Sequence, residues 1–179
     1  MSRQYFDDLP IEPLCISNSA VSFSTSELAL FPNVSQIAIP TLDVRPGKTW
    51  RLTASGLLTT PTTGTMAITP RWGTTTSGVT FGISGLQTYV ASQTNVPWYL
   101  DGILMCRTVG LFGVNSTFMA TVRFHSLGTV ATAGSGFTIV AGGTSATGDP
   151  TLGGFFIGIT FSVTAASMTP QIVLLQSLN

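Results

Sequence analysis

The sequence predicts an all-β chain: a two-sheet antiparallel sandwich, jelly-roll-like, with an extended N-terminal arm. Three observations carry this. Gly, Pro and β-branched residues recur too often to leave a helical run of apolar residues at three-and-four spacing. Short stretches of alternating apolar and polar residues recur instead, separated by clusters of Gly, Pro, Asn and Ser. At 179 residues the chain fits one domain with a substantial core and needs no metal or disulfide to support it. The expected organisation is an arm over residues 1–18 and a single β-sandwich domain over residues 19–179.

In the arm, Pro10 and Pro13 exclude helix and favour extended backbone. Its apolar residues Leu9, Ile11, Leu14 and Ile16 would be stranded in water unless the arm lies along a neighbour or its own domain. Strands are expected at Val21 to Thr25 and at Ile37 to Ile39, with one helical turn at Ser26 to Leu30 capped by Ser26. Pro46-Gly47 marks a type II turn with positive φ at Gly47. It launches Thr49 to Thr60, with Trp50, Leu52, Ala54 and Gly56 on one face and Arg51, Thr53 and Ser55 on the other. The turn Pro61 to Gly64 leads into Thr65 to Gly73, where Met66, Ile68 and Trp72 alternate with Ala67, Thr69 and Arg71; these two strands read as a hairpin.

A short strand at Val79 to Ile83 and a loop through Gln93-Thr94-Asn95 follow. The longest strand, Pro97 to Val109, sets Trp98, Leu100, Gly102, Leu104 and Cys106 against Tyr99, Asp101, Ile103, Met105 and Arg107. Its expected partner is Ser116 to His125, with Phe118, Ala120, Val122 and Phe124 on one face. Further strands are expected at Phe137 to Ala141, Phe155 to Thr164 and Gln171 to Leu178. In Phe155 to Thr164 the core face is Phe155, Ile157, Ile159, Phe161 and Val163. The opposite face, Phe156, Gly158, Thr160 and Ser162, is small and neutral enough to meet another subunit.

Composition narrows the function. Asp, Glu, Lys and Arg make up 8% of the chain, against about 25% in an ordinary soluble domain. A surface of Thr, Ser and Gly dehydrates at lower cost than ions do, which suits packing against other protein. Net charge is zero, and the seven basic residues are scattered, so the footprint of a nucleic-acid binder is missing. Mean hydropathy is +0.43, yet no unbroken apolar stretch of about 18 residues is present to span a bilayer. Acids at Asp7 and Asp8 occupy the place where a signal peptide needs an apolar core, so synthesis in a cytoplasm without export is expected.

Candidate chemistry is sparse, and no catalytic, cofactor or metal residues are assigned. His125 is the single histidine and has no acid near it in sequence, and no Gly-x-Ser-x-Gly turn is present. Asp101 sits mid-strand among apolar neighbours, which calls for an arginine partner from among Arg51, Arg71, Arg107 and Arg123. Asp7, Asp8 and Glu12 do not have calcium-loop spacing. Gly142 to Gly148 lacks the Lys-Ser/Thr ending of a phosphate loop and reads as a loop tip. Cys15 and Cys106 read as reduced, small apolar residues. Trp50 and Trp98 read as core, and Trp72, near a strand end, is left for ligand or subunit contact.

Two stretches resemble small structural proteins of tailed bacteriophages. The first runs from Gly47-Lys48-Thr49-Trp50-Arg51 through Gly56-Leu57-Leu58-Thr59-Thr60 and Thr63-Gly64-Thr65 to Arg71-Trp72-Gly73. The second is Ala91-Ser92-Gln93-Thr94-Asn95-Val96-Pro97-Trp98-Tyr99-Leu100 with Cys106-Arg107-Thr108-Val109-Gly110. The resemblance covers residues 44 to about 125 and leaves the arm unmatched. It implies a virion protein: a capsid decoration (cement) protein, often trimeric, on the major capsid protein, or a minor tail or fibre component. On that expectation Tyr5, Phe6, Leu9, Ile11, Leu14, Ile16 and Trp72 are the contact residues, and the location is the capsid surface. A host-surface glycan-binding module, using loops Gly73 to Gly78 and Gly142 to Pro150, is the alternative.

Overall fold

The computed structural model describes residues 20–23, 25–31, 39, 44–73, 78–110, 116–130, 134–144, 155–162 and 166–178. Eleven strands run through them: β1 (Val21–Phe23), β2 (Leu28–Ala29), β3 (Thr49–Thr60), β4 (Gly64–Trp72), β5 (Val79–Thr80), β6 (Gln87–Tyr89), β7 (Gln93–Thr108), β8 (Thr117–Val130), β9 (Gly134–Thr144), β10 (Phe155–Phe161) and β11 (Ala166–Ser177). No helix occurs among the described residues, hence none long and apolar enough to cross a membrane. The arm lies outside them.

The strands form two antiparallel sheets, ordered β1-β11-β3-β7-β8-β9 and β2-β10-β4-β5, with β6 also paired to β4. Set β8 and β9 aside and the pairs are β1 with β11, β2 with β10, β3 with β7 and β4 with β5. The first strand meets the last, the second meets the next to last, and so on inward. That is one long hairpin. Rolling it up adds β3 with β11 and β4 with β10, which completes both sheets. The result is the jelly-roll order of an all-β sandwich, as the sequence predicts.

The alternation expected in the long strands is observed. Every second residue of β3, from Trp50 to Thr60, is buried. Trp98, Leu100, Gly102, Leu104 and Cys106 face inward on β7, and Phe118, Ala120, Val122 and Phe124 on β8. Phe155, Ile157, Ile159 and Phe161 meet them from β10. The Pro46-Gly47 turn is in place: Gly47 has φ 84°, and the Lys48 N–H donates to the Arg45 carbonyl at 3.0 Å.

Several expectations need correction. β3 and β4 are not a hairpin: β3 pairs with β7 and β11, whereas β4 pairs with β10, β5 and β6. Each has one strongly apolar face, and the chain buries both by carrying β4 across the core to the opposite sheet. The helical turn at Ser26 to Leu30 is instead the edge strand β2, because pairing Leu28 with Ile159 and Ala29 with Gly158 gives the backbone partners from outside the segment. Ile39 is buried without being in a strand, while Ile37 and Ala38 lie outside the described residues. β7 starts at Gln93, within the expected loop. Asn95, at φ 54°, tolerates the left-handed conformation that the irregular register beside Leu58 and Thr60 requires.

β8 and β9 extend the six-stranded sheet past its jelly-roll edge, and the sheet curls until its last strand reaches the other sheet. Gly143 on β9 lies against the Phe81 carbonyl, so close that a Cβ there would collide with it. Part of the glycine tract read as a loop tip is therefore strand.

Two core groups make stability depend on pH. Burial pushes the Tyr89 phenol up to about 12 and the Cys106 thiol up to about 11. Both are neutral when protonated, and the unfolded chain releases these protons at about 10 and about 8.5. The folded state is therefore favoured fully below about pH 8 and loses stability as pH rises through about 9 to 12. The Tyr89 hydroxyl has no hydrogen-bond partner among the described residues. Tyr89→Phe should flatten the upper part of that alkaline loss. At pH 7 it should match or exceed the parent, since an unpaired buried hydroxyl costs about 1–3 kcal/mol. Urea midpoints measured against pH would show this, and a clear loss of stability at pH 7 would refute it.

Candidate interaction surfaces

The two outer faces of the sandwich differ. On the smaller sheet, Arg71 of β4 and Glu27, just before β2, form a two-pronged pair. Arg71 Nε donates to Glu27 Oε1 and Nη2 to Oε2, each at 2.7 Å, while Nη1 donates to the Gly78 carbonyl at 2.7 Å. The side chains are only 16% and 19% exposed. The hydrogen bonds that Arg71 donates to Glu27 raise its guanidinium above its ordinary value, and burial works in the opposite direction. Glu27 lies flat over Gly158 of β10, where any Cβ would strike its carboxyl group. Gly158 is thus the notch that lets the pair close and hold the short edge strand. The small, neutral face expected on β10 is partly occupied from within the chain.

The outer face of the larger sheet is apolar with a charged centre. Tyr99 and Ile103 on β7, Met119 on β8 and Ile172 on β11 are between 42% and 54% exposed. Register sets Ser55, Tyr99 and His125 in one row, Thr53, Asp101 and Arg123 in the next, and Arg51, Ile103 and Thr121 in a third. Asp101 has the arginine partner that the sequence calls for: Arg51 Nε donates to its Oδ1 at 2.7 Å across the diagonal. That bond raises the Arg51 guanidinium above its ordinary value. Arg123 stands directly opposite Asp101 on the next strand.

A third feature is a knuckle between β5 and β6. The Phe81 N–H donates to the Pro70 carbonyl and the Ser84 N–H to the Ile68 carbonyl, while Ser84 Oγ accepts from the Ile68 N–H. Anchored this way, the loop presents Ile83 and Leu86 to solvent. The expected strand Val79 to Ile83 is therefore only Val79–Thr80, followed by the knuckle.

Of the expected contact residues, Tyr5, Phe6, Leu9, Ile11, Leu14 and Ile16 lie outside the described residues. Trp72 is described, and it is not at a surface: it is 2% exposed and stacks on Phe118 with ring centroids 4.1 Å apart. It shares the inward parity of Met66 and Ile68 and pairs with Phe155 at the far end of β10, so the core takes it up. Burial likewise withdraws Trp72 from ligand contact in the glycan-binding alternative. Most of the loops it invoked, residues 74–77 and 145–150, lie outside the described residues. Sequence reading missed Glu27 with Arg71, whose 44-residue separation leaves no local signal. It also missed the knuckle. Among the described residues no group of three or more His, Cys, Asp or Glu is placed to hold a metal ion.

No family model matches the sequence, nor does any curated protein. Among solved structures, the CBM2 module of the evolved Dit of Lactobacillus casei BL23 phage J-1 is similar at 9% identity, over 86% of this chain and 68% of that one, with a TM-score of 0.16. A superposition that poor carries no argument about fold or function.

The two ion pairs should behave differently when broken. Glu27→Ala leaves Arg71 largely buried without its carboxylate and should cost about 2–3 kcal/mol. Asp101→Ala removes a solvated pair, its side chains 43% and 30% exposed, and should cost under about 1 kcal/mol. Chemical denaturation of both variants checks the order, and equal losses would contradict it.

Proposed function

We propose that this chain is a virion structural protein: a capsid decoration (cement) protein that binds across joints between major capsid subunits and stabilises the head. One observation supports this most. The outer face of the larger sheet keeps four large apolar residues about half exposed, where an open antiparallel face is ordinarily polar. With only 8% of residues charged, such a surface is suited to being covered by protein. The sequence resemblance to small phage structural proteins supplies the choice of shell. In this reading the protein works as a closed homo-oligomer, a trimer favoured, on the capsid surface after synthesis in the host cytoplasm. It uses no cofactor, catalysis, nucleic acid or membrane.

The mechanism is passive. Binding only the assembled arrangement of capsid subunits stabilises that arrangement by mass action. Repetition over a symmetric shell strengthens it, because each new contact forms at high effective concentration. The arm, residues 5–16 in particular, supplies much of the contact that holds the protein on the shell, contact between neighbouring copies included. A variant lacking residues 1–18 should keep the urea midpoint of the full chain but lose occupancy on purified empty shells, as read by cosedimentation. Unchanged occupancy would remove the arm from the mechanism. Failure of the full chain to bind any shell would remove the decoration role itself.

A further inference from the structure

The outer face of the larger sheet has a charge imbalance as well as an apolar surface. Arg51, Arg107 and Arg123 point outward from β3, β7 and β8, and among the described residues they share one carboxylate, Asp101, which is bonded to Arg51. Residues 1–18 have the reverse balance: Asp7, Asp8 and Glu12 against Arg3, set among apolar side chains. We propose that this face is the seat for a second copy of the chain, whose acidic segment 5–16 lies across the arginines. The inference deepens the assembly reading and rests on it only in requiring copies to associate.

Three arguments fix the occupant. Two such faces brought together bare would set arginine against arginine, which like-charge repulsion opposes, so the acidic segment has to enter first. Pro10 and Pro13 lack N–H donors, so the segment cannot complete a ladder along a sheet edge; it is suited to docking through side chains on a face. Area then favours a second copy over the segment folding back on its own domain. The four strands β11, β3, β7 and β8 span about 19 Å by about 40 Å at ordinary strand spacing and rise. That is close to the roughly 800 Å² each partner buries in a standard interface. One extended segment overlies about two of those strands, and the domain surface that follows it in the second copy covers the remainder.

The test is charge exchange followed by sedimentation equilibrium of the full chain. The parent should sediment above monomer mass and dissociate as salt is raised. Arg107→Glu with Arg123→Glu, and separately Asp7→Arg with Asp8→Arg, should each weaken association at least tenfold, with urea midpoints unchanged. Mixing the two variants should restore association, because the acidic segment of one then finds the basic face of the other. If either pair fails to fold, Arg107→Gln with Arg123→Gln should still weaken association. A parent that is monomeric at every concentration, as docking on its own face would produce, overturns the proposal. So do charge reversals that leave the mass unchanged. Cosedimentation with shells separates the two readings: a monomeric parent that still binds shells overturns this inference alone.

Discussion

Two aromatic contacts between the sheets hold the sandwich at its two ends, and every surface described above depends on them. At one end Trp72 of β4 stacks on Phe118 of β8. At the other, Phe23 of β1 packs on Phe161 of β10 with centroids 5.3 Å apart. Each is worth about 0.5–1.5 kcal/mol beyond the apolar area it buries. Between them Ile157 and Ile159 belong to one continuous core with Leu52, Leu100 and Val122. With so few ionised side chains outside, the fold gets little from surface electrostatics. It is this interior that keeps the two outer faces in fixed relation.

The rolled hairpin also explains which surfaces are built and which are improvised. β3, β7 and β11 are long and mutually paired, so the larger sheet is a rigid platform for what it displays. On the smaller sheet the edge strand β2 is two residues long. There a single buried arginine–carboxylate pair does what a longer ladder would otherwise do. The same chemistry on the platform, Arg51 with Asp101, is solvated and adds little to stability. Its effect is on the potential of that face.

How much of this was legible in the sequence follows from the range of each cause. Alternation is a local signal, so the inward residues of β3, β7, β8 and β10 could be read directly. Pairing is not local. The strong alternation of β3 and β4 fits a hairpin as well as a crossover, and only the competing partners β7, β11 and β10 decide. Gly142 and Gly143 read as part of a loop tip, but in β9 they allow close backbone approach, Gly142 to Ala120 of β8 and Gly143 to the Phe81 carbonyl. β2 and β6 are too short to leave any period. Trp72 lies near a strand end, which in sequence suggests exposure, yet it shares the inward parity of Met66 and Ile68. Cross-sheet stacking, invisible in sequence, settles the matter.

β11 combines Pro170 with a bulge at Gln171, in a strand whose other neighbour among the described residues, β1, covers three of its residues. A long apolar strand left open on one side is ordinarily a template for runaway sheet growth, and many proteins guard it with lysine. This chain has a single lysine in 179 residues, and that one is buried at the Pro46 turn. The proline withholds one donor and the bulge twists the strand out of plane. Backbone geometry thereby does at this edge what electrostatic repulsion does elsewhere: it makes the strand a poor template for a further strand.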